Sequence, residues 1–334
     1  MSGPLLEVRK LTKHFPVRAG VLMRKVGAVH AVDAVTFQIQ PGETLGLVGE
    51  SGCGKSTVGR TILNLLPATS GQVLFEGKDL STLSRYEWRA LRREMQIIFQ
   101  DPQESLNARH TVGAILEEPF VIHKMGTPED RRRWVGDLLE RVGLQRDAVE
   151  RFPHEFSGGQ RQRIGIARAI ALRPKLIICD EAVSALDVSV RAQIINLLLE
   201  LQREMKLALL FIAHDLSVVK HVSDRVAVMY LGRIVELAPA AAIYDRPAHP
   251  YTRALVSAIP QPDPDRVHER MVLEGDVPSP IAPPPGCRFH TRCPFAIEIC
   301  RQDAPCWEEV GSSQFVACHR WRELRPDHEH RGPT

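Results

Sequence analysis

At 334 residues, 44% of them hydrophobic and 25% charged, the chain is long enough for two domains and apolar enough to close a full core. Its 43 basic and 40 acidic residues leave a net charge of +3, which gives no strong electrostatic case for nucleic acid or an anionic membrane surface as a partner. No run reaches the ~18 apolar residues of a spanning helix, and Met1 to Val8 lacks a basic stretch followed by an apolar one, so any membrane role is expected to be peripheral.

Along the chain, the apolar run Thr44-Leu45-Gly46-Leu47-Val48 predicts a strand, and Thr57-Val58-Gly59-Arg60-Thr61-Ile62-Leu63 predicts a helix. Between them lies Gly49-Glu50-Ser51-Gly52-Cys53-Gly54-Lys55-Ser56-Thr57, the glycine pattern of a phosphate-binding loop in the strand, loop and helix order it requires. Gly49, Gly52 and Gly54 allow the backbone to turn successive N–H groups inward around a β-phosphate. Lys55 then reaches the β- and γ-phosphates, and the Ser56 hydroxyl is the expected Mg²⁺ ligand. Further on, Thr127-Pro128-Glu129-Asp130 reads as a helix start, with Trp134, Val135, Leu138, Leu139 and Val142 at helical spacing as its core stripe. Phe156-Ser157-Gly158-Gly159-Gln160 opens another helix whose N-terminus suits a phosphate oxygen. Leu176-Ile177-Ile178-Cys179 reads as a buried parallel strand ending in Asp180-Glu181. With the phosphate loop, Asp180 is expected to hold Mg²⁺ through water and Glu181 to take the proton of the attacking water.

The phosphate loop, Phe156-Ser157-Gly158-Gly159-Gln160 and Leu176-Ile177-Ile178-Cys179-Asp180-Glu181, in that order, resemble the ATP-binding cassette family, with Phe156 where that family has Leu. Gln100 after Met95 to Phe99, the loop Ser184-Ala185-Leu186-Asp187, and His214 after Leu207 to Ala213 extend the match over about residues 5 to 245. The resemblance implies an α/β P-loop NTPase cassette with a mainly parallel core sheet, an antiparallel β part and a helical subdomain at about 101–165. It implies a head-to-tail dimer with each ATP between Lys55's loop on one subunit and Ser157, Gly158, Gly159 and Gln160 on the other. The loop contacts from Gly49, Ser51, Gly52, Cys53, Gly54, Lys55, Ser56 and Thr57 belong to the first of these surfaces. His214 is implied at the γ-phosphate and attacking water, Gln100 at Mg²⁺ and the transport partner, Asp187 at the dimer seam, and Phe15 against adenine. The family has Pro where this chain has Ala182; that residue sets turn geometry and does no chemistry.

Asp101-Pro102-Gln103-Glu104-Ser105-Leu106-Asn107 and His249-Pro250-Tyr251-Thr252 resemble the peptide-importer branch of the family. After the proline-rich Pro278 to Pro285 come Cys287, Cys293, Cys300, Cys306 and Cys318, with His290 and His319 alongside, while Cys53 and Cys179 sit inside the cassette motifs as incidental thiols. With no secretory signal, metal ligation is favoured over disulfides. The intervals of the tail fit zinc poorly, and Zn²⁺, an iron–sulfur cluster and unligated thiols all remain open on spacing. The resemblance to peptide-importer tails selects a [4Fe–4S] cluster on Cys287, Cys293, Cys300 and Cys318, with Cys306 extra. A cassette domain over 1–245 and a Cys-rich extension over 246–334 are expected, the extension being separable from the catalytic site.

Taken together, the resemblance implies an ATPase subunit of an importer of dipeptides or oligopeptides, working on the cytoplasmic face of the inner membrane with ATP and Mg²⁺. Two membrane-spanning permease subunits, a second ATPase subunit, identical or homologous, and indirectly a substrate-binding protein are the implied partners, with no nucleic acid. A soluble cassette ATPase acting on DNA or ribosomes would carry long coiled coils or two cassettes in one chain.

Overall fold

The computed structural model describes residues 3–20, 24–101, 105–260 and 271–324. The chain divides into two compact units, one made of Met1–Leu6, Gln38–Thr44 and Leu74–Ile212, the other of Glu7–Phe37, Leu45–Val73 and Ala213–Thr334. Among the described residues, no helix is long and apolar enough to cross a membrane.

The first unit is built on parallel strands. Met95–Ile98 pairs with Leu176–Asp180, which pairs with Ala208–Ala213. Every residue of Leu176–Asp180 is buried, as a strand covered on both faces must be, and the sequence there is accordingly apolar without alternation. The same unit holds the helices Val112–Ile122, Pro128–Arg141, Gly158–Ile170 and Val188–Met205. The helix start expected at Thr127 is present as a reciprocal cap: the Asp130 N–H donates to the Thr127 hydroxyl and the Thr127 N–H to the Asp130 carboxylate, with Pro128 in the first turn. Val135, Leu138, Leu139 and Val142 of the predicted stripe are buried. The Trp134 ring lies 5.1 Å from that of Phe120, joining this helix to Val112–Ile122.

In the second unit, Leu6–Ala19, Arg24–Ile39 and Ser70–Phe75 lie side by side with the first of them in the middle. Separately, Thr44–Val48 runs parallel to Arg225–Tyr230, with Leu45 opposite Arg225 and Val48 opposite Val228. Arg225–Tyr230 pairs antiparallel with Arg233–Pro239, which carries Gln314–Val316 and then Glu308–Gly311 on its far side. The Cys-rich tail therefore contributes a hairpin to the same strand set that leads into the phosphate loop. The boundary expected at 245/246 falls inside this unit.

Glu236 pegs that junction. Its side chain is fully buried, and its two oxygens accept from the Ala248 N–H at 2.8 Å, the His249 N–H at 2.8 Å and the Gln314 amide at 2.9 Å. Glu236→Ala leaves those three buried donors unpaired and should cost about 3 kcal/mol in urea unfolding. Burial raises the Glu236 carboxyl above its ordinary 4.5. The folded state thus holds this proton more tightly than the unfolded chain, and the contribution is complete below pH 4.5 and lost as pH rises through the folded value. Comparing unfolding at about pH 5 and about pH 8 should show that loss in the parent and a flatter dependence in Glu236→Gln.

Candidate nucleotide site and thiol site

The phosphate loop belongs to the second unit. Gly54 caps the helix Lys55–Ile62 with φ 107° and no side-chain cap, so the helix N-terminus opens onto the loop, the end of a helix that favours an anion. Side chains are excluded here: a Cβ on Gly54 would lie 1.9 Å from the Ala31 carbonyl oxygen, and one on Gly49 2.1 Å from that of Met229. Lys55 is buried, and its ammonium donates to the Gly49 carbonyl at 2.8 Å and the Glu50 carbonyl at 3.1 Å. Phosphate oxygens can replace those carbonyls as acceptors. Phe15 is half-buried on Leu6–Ala19, with the Lys13 ammonium 4.9 Å from its ring centre. His214 is exposed just after Ala208–Ala213.

The remaining predicted residues belong to the first unit. Asp180 is buried at the end of its strand. Glu181 follows with φ +48°, a left-handed conformation uncommon for a residue with a side chain, and its N–H donates to the Ile212 carbonyl at 3.1 Å. Its carbonyl accepts both the N–H and the hydroxyl of Ser184, at 3.1 and 2.9 Å, closing a turn with buried Ala182 in the position that proline favours. Alanine holds that turn because Ser184 closes it twice.

Ser157 caps Gly158–Ile170 and shares a reciprocal hydrogen-bond pair with Gln160, both residues exposed. Phe156 is buried under the Arg151 guanidinium, 4.3 Å from the ring centre, so the larger ring serves as an anchor where leucine is usual. Asp187 is exposed and caps Val188–Met205 through the Val190 N–H. Gln100 is exposed two residues beyond Met95–Ile98. Of the stretch Asp101 to Asn107, Pro102, Gln103 and Glu104 lie outside the described residues.

In the tail, Cys287, Cys293, Cys300 and Cys318 line one small cavity with His249, Phe289 and Phe295. Cys306 is exposed and stands apart from that lining. Burial first, and neighbouring thiols second, push Cys287, Cys293 and Cys318 up to about 11. Among the described residues, the trio of ligating side chains whose donor atoms lie within 4.8 Å of one another is His14, His30 and Asp33, and no three of these sulfurs meet that spacing. Asp33 is engaged by Arg233 at 2.9 Å and by Arg288, which makes that trio part of an ion-pair network. Cys53 and Cys179 are buried thiols raised by desolvation, Cys179 to about 12, as befits inert core residues.

The tail touches the nucleotide site directly. Arg292 donates to the Glu50 carboxylate of the phosphate loop at 2.8 Å, and the Glu50 N–H donates to the Tyr251 hydroxyl at 2.9 Å. Sequence reasoning singled out Tyr251 only as part of a branch motif and passed over Glu50 and Arg292; one arginine 242 positions from a glutamate carries no local signal.

Comparison with known proteins finds two matched segments. The profile described as "ABC transporter" matches residues 32–184, and that described as "Oligopeptide/dipeptide transporter, C-terminal region" matches residues 235–300. The oligopeptide transport ATP-binding protein AppF of Bacillus subtilis is 56% identical over 94% of this chain and 97% of its own. A probable peptide ABC transporter ATP-binding protein of Sinorhizobium fredii, y4tS, is 54% identical over 96% of this chain and 90% of its own. Among solved structures, the ATP-binding cassette MJ0796, described as a dimeric post-hydrolysis state bound to ADP and Pi, matches with a TM-score of 0.63 and 27% identity over 70% of this chain and 98% of its own. cbiO1 from Clostridium perfringens, described as part of an ABC transporter complex, matches with a TM-score of 0.61 and 29% identity over 72% of this chain and 90% of its own. The α/β cassette fold follows.

Alkylation of the native chain with iodoacetamide, read by mass spectrometry after short exposure, should label Cys306 first and Cys179 last. Early labelling of Cys179 would contradict the burial assigned to it.

Proposed function

The chain belongs to the ATP-binding cassette family of transporter ATPases, and from that premise we propose that it is the subunit whose ATP hydrolysis powers an importer of dipeptides or oligopeptides. The observation that carries the cargo class is the reach of the similarity: relatives named for peptide transport match across 94% and 96% of the chain, the tail included. ATP is held by the phosphate loop, where Lys55 exchanges the Gly49 and Glu50 carbonyls for phosphate oxygens and Gly49, Ser51, Gly52, Cys53, Gly54 and Thr57 offer backbone or hydroxyl groups.

Ser56 and Asp180 supply a hydroxyl and a carboxylate, hard oxygen donors that suit Mg²⁺. When bound, Mg²⁺ neutralises charge on the β- and γ-phosphate oxygens. Glu181 takes the proton of the attacking water, His214 orients that water and the γ-phosphate, and Gln100 answers to Mg²⁺ and the transport partner. Phe15 stacks on adenine. Ser157, Gly158, Gly159 and Gln160 cradle the nucleotide of a second ATPase subunit, and Asp187 faces the seam between the two. A permease in the membrane receives the resulting motion, with this chain docked peripherally on its cytoplasmic side.

In the tail, Cys287, Cys293, Cys300 and Cys318 would hold an iron–sulfur cluster. The donor set suits it: four thiols share one cavity, and four thiolates are the ligand set such clusters take. When bound, such a cluster supplies a cross-link among four thiolates.

Glu181→Gln should bind ATP as the parent does, lose hydrolysis by about 100-fold or more, and shift to dimer size in chromatography with ATP. Undiminished turnover would remove Glu181 as the base. Elemental analysis of chain purified without oxygen should find about four iron and four sulfide per chain; stoichiometric zinc would reassign the thiol site.

A further inference from the structure

Cys287 and Cys293 bracket a short turn in which the His290 N–H donates to the Cys287 carbonyl at 3.0 Å and the Arg292 N–H to that of Phe289 at 3.0 Å. Two arginines leave this turn toward the nucleotide site. Arg288, buried, donates to the Leu231 carbonyl and to Asp33. Arg292, 9% exposed, pairs with Glu50 at 2.8 Å. Between the thiols and the phosphate loop sits a packed aromatic group: Tyr230 and Tyr251 lie 4.8 Å apart, and Phe289, which also lines the thiol cavity, is 5.2 and 5.4 Å from them.

Glu50 is held at three points. Its N–H donates to Tyr251, its carbonyl accepts from Lys55, and its carboxylate accepts from Arg292. The third point bears on charge as well as shape. Glu50 sits between Gly49 and Ser51 in a loop that must admit a polyanion, and a carboxylate left unpaired there would repel the phosphates. Arg292, largely shielded from solvent, cancels it where screening is weak.

We propose that Arg292 is a positioning residue for nucleotide binding: it neutralises Glu50 and fixes the phosphate loop, so that a turn built into the thiol site sets the affinity for ATP. The inference rests on the reading of that loop as the ATP site.

The test measures ATP affinity of the full-length chain by equilibrium fluorescence with a trinitrophenyl-ATP probe and ATP competition, alongside metal content and thermal unfolding. Arg292→Ala should weaken ATP by about tenfold, the worth of one charged hydrogen bond, with metal content and unfolding temperature near those of the parent. Glu50→Gln in the Arg292→Ala background should recover most of that loss, a rescue that a purely structural role would not produce. Arg292→Lys, which keeps the charge, should stay within about threefold of the parent. If Arg292→Ala does not fold, Arg292→Gln replaces it in the same comparison. Affinity within about twofold of the parent in the charge-removing variant, or no recovery in the double variant, overturns the proposal. Lys55→Ala separates the two readings, because a parent that binds ATP no better than Lys55→Ala defeats the assignment of the ATP site itself.

Discussion

Glu50 ties the phosphate loop to segments far along the chain, beside the bond that the Gly232 N–H donates to the Cys53 carbonyl at 2.9 Å. A loop with glycines at positive φ has many conformations open to it when free, and a nest of inward N–H groups forms only where that freedom is removed beforehand. Two of the three anchors on Glu50, Tyr251 and Arg292, come from beyond residue 245, and the third is the loop's own Lys55. Contacts spaced far along the chain thus converge on one residue of the nucleotide site, and preorganisation there is a property of the folded unit.

The tail is shaped accordingly. Its hairpin Glu308–Gly311 and Gln314–Val316 continues the strands beside the phosphate loop, and Glu236 locks the start of the helix Pro250–Ser257 against it. Tyr230, Tyr251 and Phe289, all buried and in mutual ring contact, pack between loop and thiols. A cross-link among four thiolates in such a position would stiffen the turn that presents Arg288 and Arg292.

Local patterns carried most of the legible content. The strand, loop and helix around Lys55, the capped helix at Thr127 and the buried strand ending at Asp180 are each specified within about a dozen residues, by glycine spacing, capping chemistry or unbroken apolar runs. Spacing alone does not single out four of the five tail cysteines; the resemblance to peptide-importer tails does, and in the structure Cys287, Cys293, Cys300 and Cys318 line one cavity while Cys306 is exposed. What was not legible is long-range. Glu236 reads as an ordinary strand glutamate until Ala248, His249 and Gln314 close on it, and Arg292 reads as a surface arginine until it meets Glu50. Pairings across such separations are decided by packing, and no window along the chain contains both partners.

Hydrogen–deuterium exchange of the nucleotide-free chain, followed in the peptide spanning residues 49–57, reads the restraint on the loop directly. If Glu50 is held through Arg292, exchange in that peptide should accelerate in Arg292→Ala while the peptide spanning residues 176–180 keeps the parent's protection. Unchanged exchange at 49–57 would mean that the phosphate loop holds its shape without the tail.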